Sequence, residues 1–201
     1  MSDIEVVPAT PGTMDAVEQA LTGGGDGASC QCQWWTLQAR EFDRTSREER
    51  EDLLAAEVAA SPPPGLIARV DGAAAGWVRV GPRIRQPRLA RTRTFALSAE
   101  PWDDASVWAV TCFSIRKEFR GQGVMRALLD GAIGLARENG ARTLEAYPFD
   151  PTMQKVPTND LYLGVLSVFL DAGFREVGRS RPHRAVVSLD LSPARSDTVS
   201  G

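Results

Sequence analysis

The most informative part of this 201-residue chain is the stretch Phe113-Ser-Ile-Arg-Lys-Glu-Phe-Arg-Gly-Gln-Gly-Val-Met-Arg-Ala-Leu128. An apolar run from Val107 to Ile115 predicts a strand that enters a charged turn. Gly121 and Gly123 let the backbone turn tightly, because glycine has no Cβ that forbids a positive φ. A helical pattern follows, and the first N–H groups of a helix have no intrahelical partner and lie at its positive dipole end. The stretch therefore predicts an anion site, most often one for a phosphate.

Alternating elements surround this turn along the chain. Strands are predicted at 4–8, 66–70, 75–80, 107–115, 143–147, 174–177 and 185–191. Helices are predicted at 11–21, from the cap at Ser46 to about 60, from 124 to the stop at Asn139-Gly140, and at 161–172. Residues 82–105 are rich in proline and arginine and predict an irregular connection. The pattern predicts one α+β unit over residues 1–191, with a disordered tail at 192–201.

Composition and charge narrow the classes of protein. With 43% hydrophobic and 24% charged residues, the chain is typical of a globular domain. A net charge of −3 argues against nucleic acid as a partner, since such proteins usually carry a basic domain. No window approaches the ~20 apolar residues that span a bilayer, and the acidic N-terminus does not resemble a signal peptide. We expect no membrane partner and a cytoplasmic location.

A run of arginines without any acidic residue between them is the one local exception to this acidic balance. Its members are Arg79, Arg83, Arg85, Arg88, Arg91 and Arg93. One interpretation is a solvated connector, and the other is a site for an acidic substrate or a second phosphate.

The three cysteines do not predict a disulfide framework or a metal site. Cys30 and Cys32 have the spacing of half a metal site, but a second ligand pair is missing and the single histidine, His183, is distant in sequence. We therefore predict no metal. Cys112 lies in an apolar strand, where a buried and inert thiol is the expected state.

The turn and its order of elements resemble the GNAT N-acetyltransferases. Arg120-Gly-Gln-Gly123-Val-Met is similar to the family motif arginine/glutamine-x-x-glycine-x-glycine/alanine, except that Met125 stands at the last position. Asp171-Ala-Gly-Phe174 at the end of the last helix also fits the family. The resemblance implies the GNAT-like fold of acyl-CoA N-acyltransferases, a mixed and mostly antiparallel sheet flanked by helices. A dinucleotide-binding turn is rejected, because its third glycine would fall at Arg126.

The resemblance implies acetyl-CoA as the co-substrate. The strand that ends at Ile115 would part from its neighbour at 143–147, the pantetheine arm would pair with 113–115, and amides from about Gly121 to Arg126 would hold the diphosphate. The implied cofactor-binding residues are Phe113, Ser114, Ile115, Arg120, Gly121, Gln122, Gly123, Val124, Met125, Arg126, Ser167 and Phe169. The side chain of Met125 narrows the approach of the diphosphate unless it points away, although its amide is unaffected.

The resemblance also suggests catalytic groups. The resemblance implies direct attack of an amine on the thioester, and an acid that protonates the leaving thiolate. The family often has a tyrosine for this at the position of Phe169, so Tyr147 and Tyr162 are the substitutes. Glu145 is the candidate base, because a charge inside a strand implies a partner or a function if it is buried; its alternative is a solvent-facing residue.

Two functions follow from the resemblance. The first is an acetyl-CoA-dependent N-acetyltransferase that acts on a primary amine of a small molecule or a peptide. Trp34 and Trp35 would then line the acceptor site, where they favour an apolar or cationic surface. The second is a CoA-binding or partner-binding module on the same fold that has lost catalysis. A homodimer is compatible with either.

Overall fold

The computed structural model describes residues 3–23 and 25–192, and seven strands in this part of the chain form one sheet in the order β1-β2-β3-β4-β5-β7-β6. The strands are β1 Ile4–Pro8, β2 Gly65–Val70, β3 Ala73–Pro82, β4 Val107–Ile115, β5 Thr143–Ala146, β6 Arg175–Arg181 and β7 Arg184–Asp190.

Helices flank this sheet. The α-helices are α1 Met14–Leu21, α2 Gly27–Cys30, α3 Ala39–Phe42, α4 Arg47–Val58, α5 Val124–Glu138 and α6 Leu166–Asp171. Short 3-10 helices lie at Pro11–Thr13, Arg83–Arg85, Leu89–Arg91, Arg93–Phe95, Lys117–Phe119 and Thr158–Leu163. Within the described residues, none of the helices has the length and apolar character needed to span a bilayer.

The sheet is mostly antiparallel, as predicted. Among its neighbouring strands only β4 and β5 run parallel, and they pair from Val107 to Val110 on the β4 side. On its other side β4 pairs with β3 as far as Ile115. Residues 111–115 of β4 therefore have no strand partner toward β5 in the described part of the chain; we call this side the open edge.

A β-bulge coincides with the point where β4 and β5 part. Arg79 of β3 pairs with Cys112, and the next residue, Val80, pairs with Val110, so Thr111 has no partner on β3. A bulge bends its strand and increases the local twist. Thr111 is buried, and its hydroxyl donates to Gln86 Oε1 at 2.6 Å, which fixes the bulge from the connection after β3.

Local sequence signals account for several of these elements. Ser46 caps α4, since its hydroxyl accepts from the Glu49 amide at 3.1 Å while Glu49 Oε2 accepts from the Ser46 amide at 2.6 Å. Asp71 and Gly72, with φ of 49° and 84°, form the turn between β2 and β3. Both predictions are confirmed.

The last predicted helix is wrong in its length. Instead of one helix over 161–172, the 3-10 helix Thr158–Leu163 ends at Gly164, and α6 begins at Leu166. Gly164 has a φ of +84°, which ends helical geometry there. Of the predicted disordered tail at 192–201, residues 193–201 lie outside the described residues.

Helix α5 covers the main core. Its predicted apolar stripe is confirmed: Val124, Leu128 and Ala132 are at most 1% exposed and pack on the sheet. Gly131 lies on the same helix, where the helix packs on side chains of β1 and β2. A Cβ there would lie 2.8 Å from Val6 Cγ1 and 3.0 Å from Leu66 Cδ1.

Two alanine substitutions on α5 test this close packing. Gly134→Ala is expected to raise the free energy of unfolding by about 0.5–1 kcal/mol, because its Cβ would meet no atom within 4 Å and alanine favours the helix. Gly131→Ala is expected to be less stable than Gly134→Ala by about 1–3 kcal/mol, since its Cβ overpacks the interface. Urea unfolding of the two variants checks this. Equal stability would contradict the described packing of α5 on β1.

Candidate functional site

A cleft of about 810 Å³ opens along the outer half of β4. The start of α5, the loop between α1 and α2, and the segment from Thr158 to Val168 form its other walls. Nine of the predicted cofactor residues line it: Phe113, Ser114, Ile115, Arg120, Gly121, Gly123, Val124, Met125 and Arg126.

The glycine turn has the geometry predicted for an anion site. Gly121 and Gly123 have φ of 76° and 86°, and Gly123 is the N-cap of α5. The first hydrogen bond of the helix runs from the Ala127 amide to the Gly123 carbonyl at 3.0 Å. The amides of residues 124–126 therefore have no intrahelical acceptor, and they lie at the positive end of the helix dipole.

The two arginines of the motif have different surroundings. Arg120 donates from Nε to the Ile115 carbonyl at 3.1 Å and from Nη2 to the Gly23 carbonyl at 2.8 Å. It thereby holds the loop after α1 against the end of β4, where a Cβ on Gly23 would lie only 2.7 Å from the Ile115 carbonyl carbon. Arg126 is exposed and pairs with Asp130 one turn later, with Nε 2.9 Å from Oδ1. Arg120 is thus a positioning residue for the cleft wall.

Met125, which departs from the motif, is accommodated by a glycine elsewhere. An added Cβ on Gly164 would lie 2.5 Å from Met125 Cε, so the methyl group occupies the space that Gly164 leaves free. The side chain thus extends across the cleft wall toward Gly164. Its amide remains in the first turn of α5.

Three predicted cofactor residues do not line the cleft. Phe169 is fully buried, and its ring contacts those of Phe113 and Phe174 at centroid distances of 6.1 and 5.2 Å. Ser167 is exposed on α6. Gln122 is exposed and donates to the Glu118 carbonyl at 2.7 Å. Phe169 therefore supports the wall residue Phe113 from behind.

Glu145 and Tyr147 lie in the core and line neither this cleft nor the neighbouring cavity. The Glu145 carboxylate is 1% exposed and accepts from Arg83 Nη1 at 2.6 Å, Ser98 Oγ at 2.7 Å and the Tyr147 hydroxyl at 3.1 Å. Burial, followed by the charge of Glu145, raises the pKa of Tyr147. The interpretation of Glu145 as solvent-facing is wrong, and its contacts support a structural part in the core.

The interpretation of the arginine run as a solvated connector is wrong for Arg79 and Arg83, whereas Arg85, Arg91 and Arg93 are exposed. Arg83 is 1% exposed, and Arg79 is 3% exposed with Nη2 2.5 Å from Glu57 Oε2. Both side chains are thus buried and paired with a carboxylate from a distant part of the chain. Arg88 and Arg91 of the same run line the neighbouring cavity described below.

Removal of the Glu145 charge tests whether this residue has a structural role or a catalytic one. Glu145→Gln is expected to lower the free energy of unfolding by about 3–5 kcal/mol, because Arg83 remains as a buried and uncompensated charge. Glu5→Gln, which breaks the exposed pair with Arg69, is expected to cost about 1 kcal/mol or less. Chemical unfolding gives both values. A Glu145→Gln variant as stable as Glu5→Gln would contradict the structural account.

A cluster of cysteines forms part of the cleft wall. Cys30, Cys32 and Cys112 are free thiols that contribute to its lining, and Cys32 Sγ accepts from Trp77 Nε1 at 3.1 Å. Burial opposes ionisation of Cys32, but the hydrogen bond from Cys112, the charge of Arg79 and the Trp77 N–H together lower its pKa. The hydrogen bond to Cys32, followed by burial, raises the pKa of Cys112. We therefore expect Cys32 to be the thiolate and Cys112 its donor.

The ultraviolet absorbance of the thiolate tests this assignment during a pH titration. The wild type is expected to show a step below the ordinary thiol pKa of about 8.5. Cys32→Ser is expected to lose that step, whereas Cys30→Ser keeps it, because burial raises the pKa of Cys30 to about 11. Since the Cys32 pKa is lowered on folding, its contribution to stability is lost as the pH falls through that folded value. A wild-type titration without a step below pH ~8.5 would contradict the assignment.

Trp34, Trp35 and Tyr162 line both the cleft and a second cavity of about 840 Å³. Trp35 is 5% exposed and Trp34 41%, so one is part of the core and the other is accessible. Burial raises the pKa of Tyr162, and the charge of Arg184 opposes that change. These three side chains are common to the linings of both cavities, and Tyr162 is the one among them that can exchange a proton.

Comparison with known proteins identifies the family. The Acetyltransferase (GNAT) family matches residues 32–162, which is more than half of the chain, and the chain therefore belongs to this family. A comparison with curated protein sequences finds no match.

Solved structures of N-acetyltransferases have the same fold. An N-acetyltransferase from Staphylococcus aureus Mu50 is 15% identical, with a TM-score of 0.56 over 95% of this chain and 100% of that one. The yncA protein from Salmonella typhimurium, solved with its cofactor acetyl-CoA, is 13% identical, with a TM-score of 0.56 over 96% of each chain. The ribosomal-protein-S18-alanine N-acetyltransferase from Escherichia coli is 12% identical, with a TM-score of 0.53 over 97% of this chain and 98% of that one. At these identities the likeness shows the fold alone.

Sequence reasoning missed several groups of the site. The cysteine cluster brings together Cys32, just after α2, with Trp77 and Arg79 of β3, and no local motif in the sequence indicates it. The second cavity takes residues from four separate parts of the chain. Its one sequence signal is the acid-free arginine run, whose members Arg88 and Arg91 line it.

Proposed function

We propose that this chain is an acetyl-CoA-dependent N-acetyltransferase that moves an acetyl group from CoA to a primary amine of a small molecule or peptide, with residues 1–191 as one domain. One observation carries the proposal: the open edge of β4 leads directly into the glycine turn and the unpaired amides of α5. A ligand with an extended amide-bearing arm joined to a diphosphate is complementary to such a surface.

The described residues fit acetyl-CoA. The pantetheine arm would pair with main-chain groups of Phe113, Ser114 and Ile115 like an added strand, because β5 leaves that edge of β4 open. The diphosphate would lie on the amides of residues 124–126, over Gly121 and Gly123, where no side chain fills the space. Arg126 would add positive charge nearby, while Arg120 fixes the wall.

The chemistry proposed is direct attack by the uncharged amine on the thioester carbonyl. The C–N bond forms, the C–S bond breaks, and CoA leaves as a thiolate, while the proton lost by the amine nitrogen passes to solvent. Tyr162 is the proposed donor of the proton that the thiolate takes up. It lies where the two cavities meet, and its raised pKa keeps it protonated at neutral pH. We assign Glu145 and Tyr147 to the core.

A second candidate is a module that binds CoA without catalysis. The observation that favours it is Phe169, which is fully buried and has no proton to donate. Two measurements separate the candidates: release of CoA from acetyl-CoA over a panel of primary amines, and calorimetric titration with acetyl-CoA. Binding with turnover of at least one amine supports the enzyme, and binding without any turnover supports the module. Absence of acetyl-CoA binding would contradict both.

Two tryptophan substitutions test where CoA binds. Gly123→Trp is expected to reduce acetyl-CoA affinity by at least about tenfold, measured by calorimetry, because its side chain would cover the amides that hold the diphosphate. Gly140→Trp is the matched control, since Gly140 also has a positive φ of 74° but lies beyond the opposite end of α5. It is expected to bind like the wild type. Equal affinity of the two variants would place the diphosphate elsewhere.

A further inference from the structure

The second cavity is strongly basic. Its ionisable lining consists of Tyr162, His183 and five arginines, and it contains no aspartate or glutamate among the described residues. The arginines are Arg40, Arg88, Arg91, Arg181 and Arg184. We call this space the arginine cavity. Its charge contrasts with the net charge of −3 of the whole chain.

Arg88 is held in place without a carboxylate partner. Its guanidinium carbon lies 3.7 Å from the ring centroid of Trp34, and Nη1 donates to the Trp34 carbonyl at 3.1 Å. The negative charge of Asp43 favours the charged form of Arg88, but the two side chains do not form an ion pair. The aromatic ring and the carbonyl fix the position of the guanidinium and leave other N–H groups available.

Arg184, near the C-terminal end of the chain, also lies over an aromatic ring. Its guanidinium carbon lies 3.5 Å from the ring centroid of Phe149, and it interacts electrostatically with Tyr162. Burial lowers the pKa of Arg184, and the nearby charge of Arg181 acts in the same direction. Two guanidinium groups close enough to interact are costly unless an anion lies between or beside them.

The buried arginines of the core, by contrast, form ion pairs with carboxylates. Arg79 is paired with Glu57, and Arg83 with Glu145. Within the described residues, none of the five arginines of the arginine cavity has an ion pair with a carboxylate of the chain. The protein thus pairs guanidinium groups with carboxylates where they stabilise the fold, whereas Arg88 and Arg184 beside the cleft feel the charges of Asp43 and Asp160 without forming an ion pair with them. An arginine that is positioned but unpaired is suited to a carboxylate or phosphoryl group, which it can bind with two parallel hydrogen bonds.

We propose that the amine acceptor carries at least one anionic group, a carboxylate or a phosphoryl group, which Arg88 and Arg184 bind in the arginine cavity. This inference rests on the proposed function. The amine of such an acceptor lies toward Trp34, Trp35 and Tyr162, where the arginine cavity meets the cleft that takes the thioester. Polyamines and other cationic acceptors are disfavoured there by repulsion from five guanidinium groups.

Matched acceptors test the proposal in steady-state assays with acetyl-CoA. The pairs are L-alanine with L-alaninamide, and 2-aminoethylphosphonate with ethanolamine; the peptide Ala-Glu-Glu is compared with Ala-Gln-Gln amidated at its C-terminus, so that the second member of each pair carries no anionic group. The anionic member of a pair is expected to have the higher kcat/KM. A preference confined to the peptide pair assigns the site to an acidic peptide end, and one confined to the small pairs assigns it to a free metabolite.

Substitution of the arginines links the preference to this cavity. Arg88→Gln and Arg184→Gln are each expected to lower kcat/KM for the anionic acceptor by at least about tenfold, the loss typical of a charge-assisted hydrogen bond. The KM for acetyl-CoA is expected to stay unchanged, and kcat/KM for the neutral acceptor is expected to fall much less than kcat/KM for the anionic one. Arg175→Gln, at an exposed site that lines neither cavity, is the control. A preference for neutral acceptors, or an equal loss for both members of a pair, would overturn the proposal.

Calorimetry decides the matter if no acceptor is turned over. The same anionic amines are titrated into the complex with CoA. Binding that is lost in Arg88→Gln supports an anion site even though the proposed catalysis has failed. Absence of binding by every anionic amine, together with wild-type binding of CoA, would overturn the anion site alone. Absence of CoA binding would instead remove the proposed function.

Discussion

The bulge at Thr111 is the constraint on which the site depends. Before it, β4 is paired on both sides; after it, β4 keeps β3 but no longer pairs with β5. An interior strand of a sheet normally has all its main-chain groups paired, so the parting of these two strands creates donors and acceptors that a ligand can use. The buried hydrogen bond from Thr111 to Gln86 fixes this point in the sheet. The glycine turn and the first amides of α5 continue the same surface, so that one segment of chain offers both an edge for an extended arm and a cradle for an anion.

The arginines divide the protein into two electrostatic environments. Arg79 and Arg83 are buried and paired, and removal of their partners would leave a charge in the core. Arg88 and Arg184 are supported by aromatic rings and carry their charge into a cavity without carboxylates in its described lining. The two kinds of arginine come partly from the same run of sequence. Residue type alone therefore does not assign a function, whereas the partner of each side chain does.

The sequence was sufficient for features that depend on neighbours in the chain. The positive φ of Gly121 and Gly123, the cap at Ser46 and the apolar face of α5 follow from local chemistry and from helical period, and all are confirmed. The family followed from the same turn in its order of elements. Most cofactor residues predicted from that resemblance line the cleft.

Features that depend on distant parts of the chain were not predictable in this way. Glu145 forms an ion pair with Arg83, which is 62 residues earlier, and no sequence periodicity indicates such a pair. Met125 is accommodated by Gly164, and Phe169 packs in the core against Phe113 and Phe174. Each of these contacts is decided by the packing of separate elements. A single sequence shows which residues are unusual, but not which distant residue will accommodate them.

A crystal structure of the protein with bound acetyl-CoA tests the central claim most directly. The account predicts diphosphate oxygens within about 3 Å of the amides of residues 124–126, and pantetheine amide groups paired with the open edge of β4. A diphosphate bound away from the glycine turn, or a pantetheine arm that does not touch residues 113–115, would contradict it.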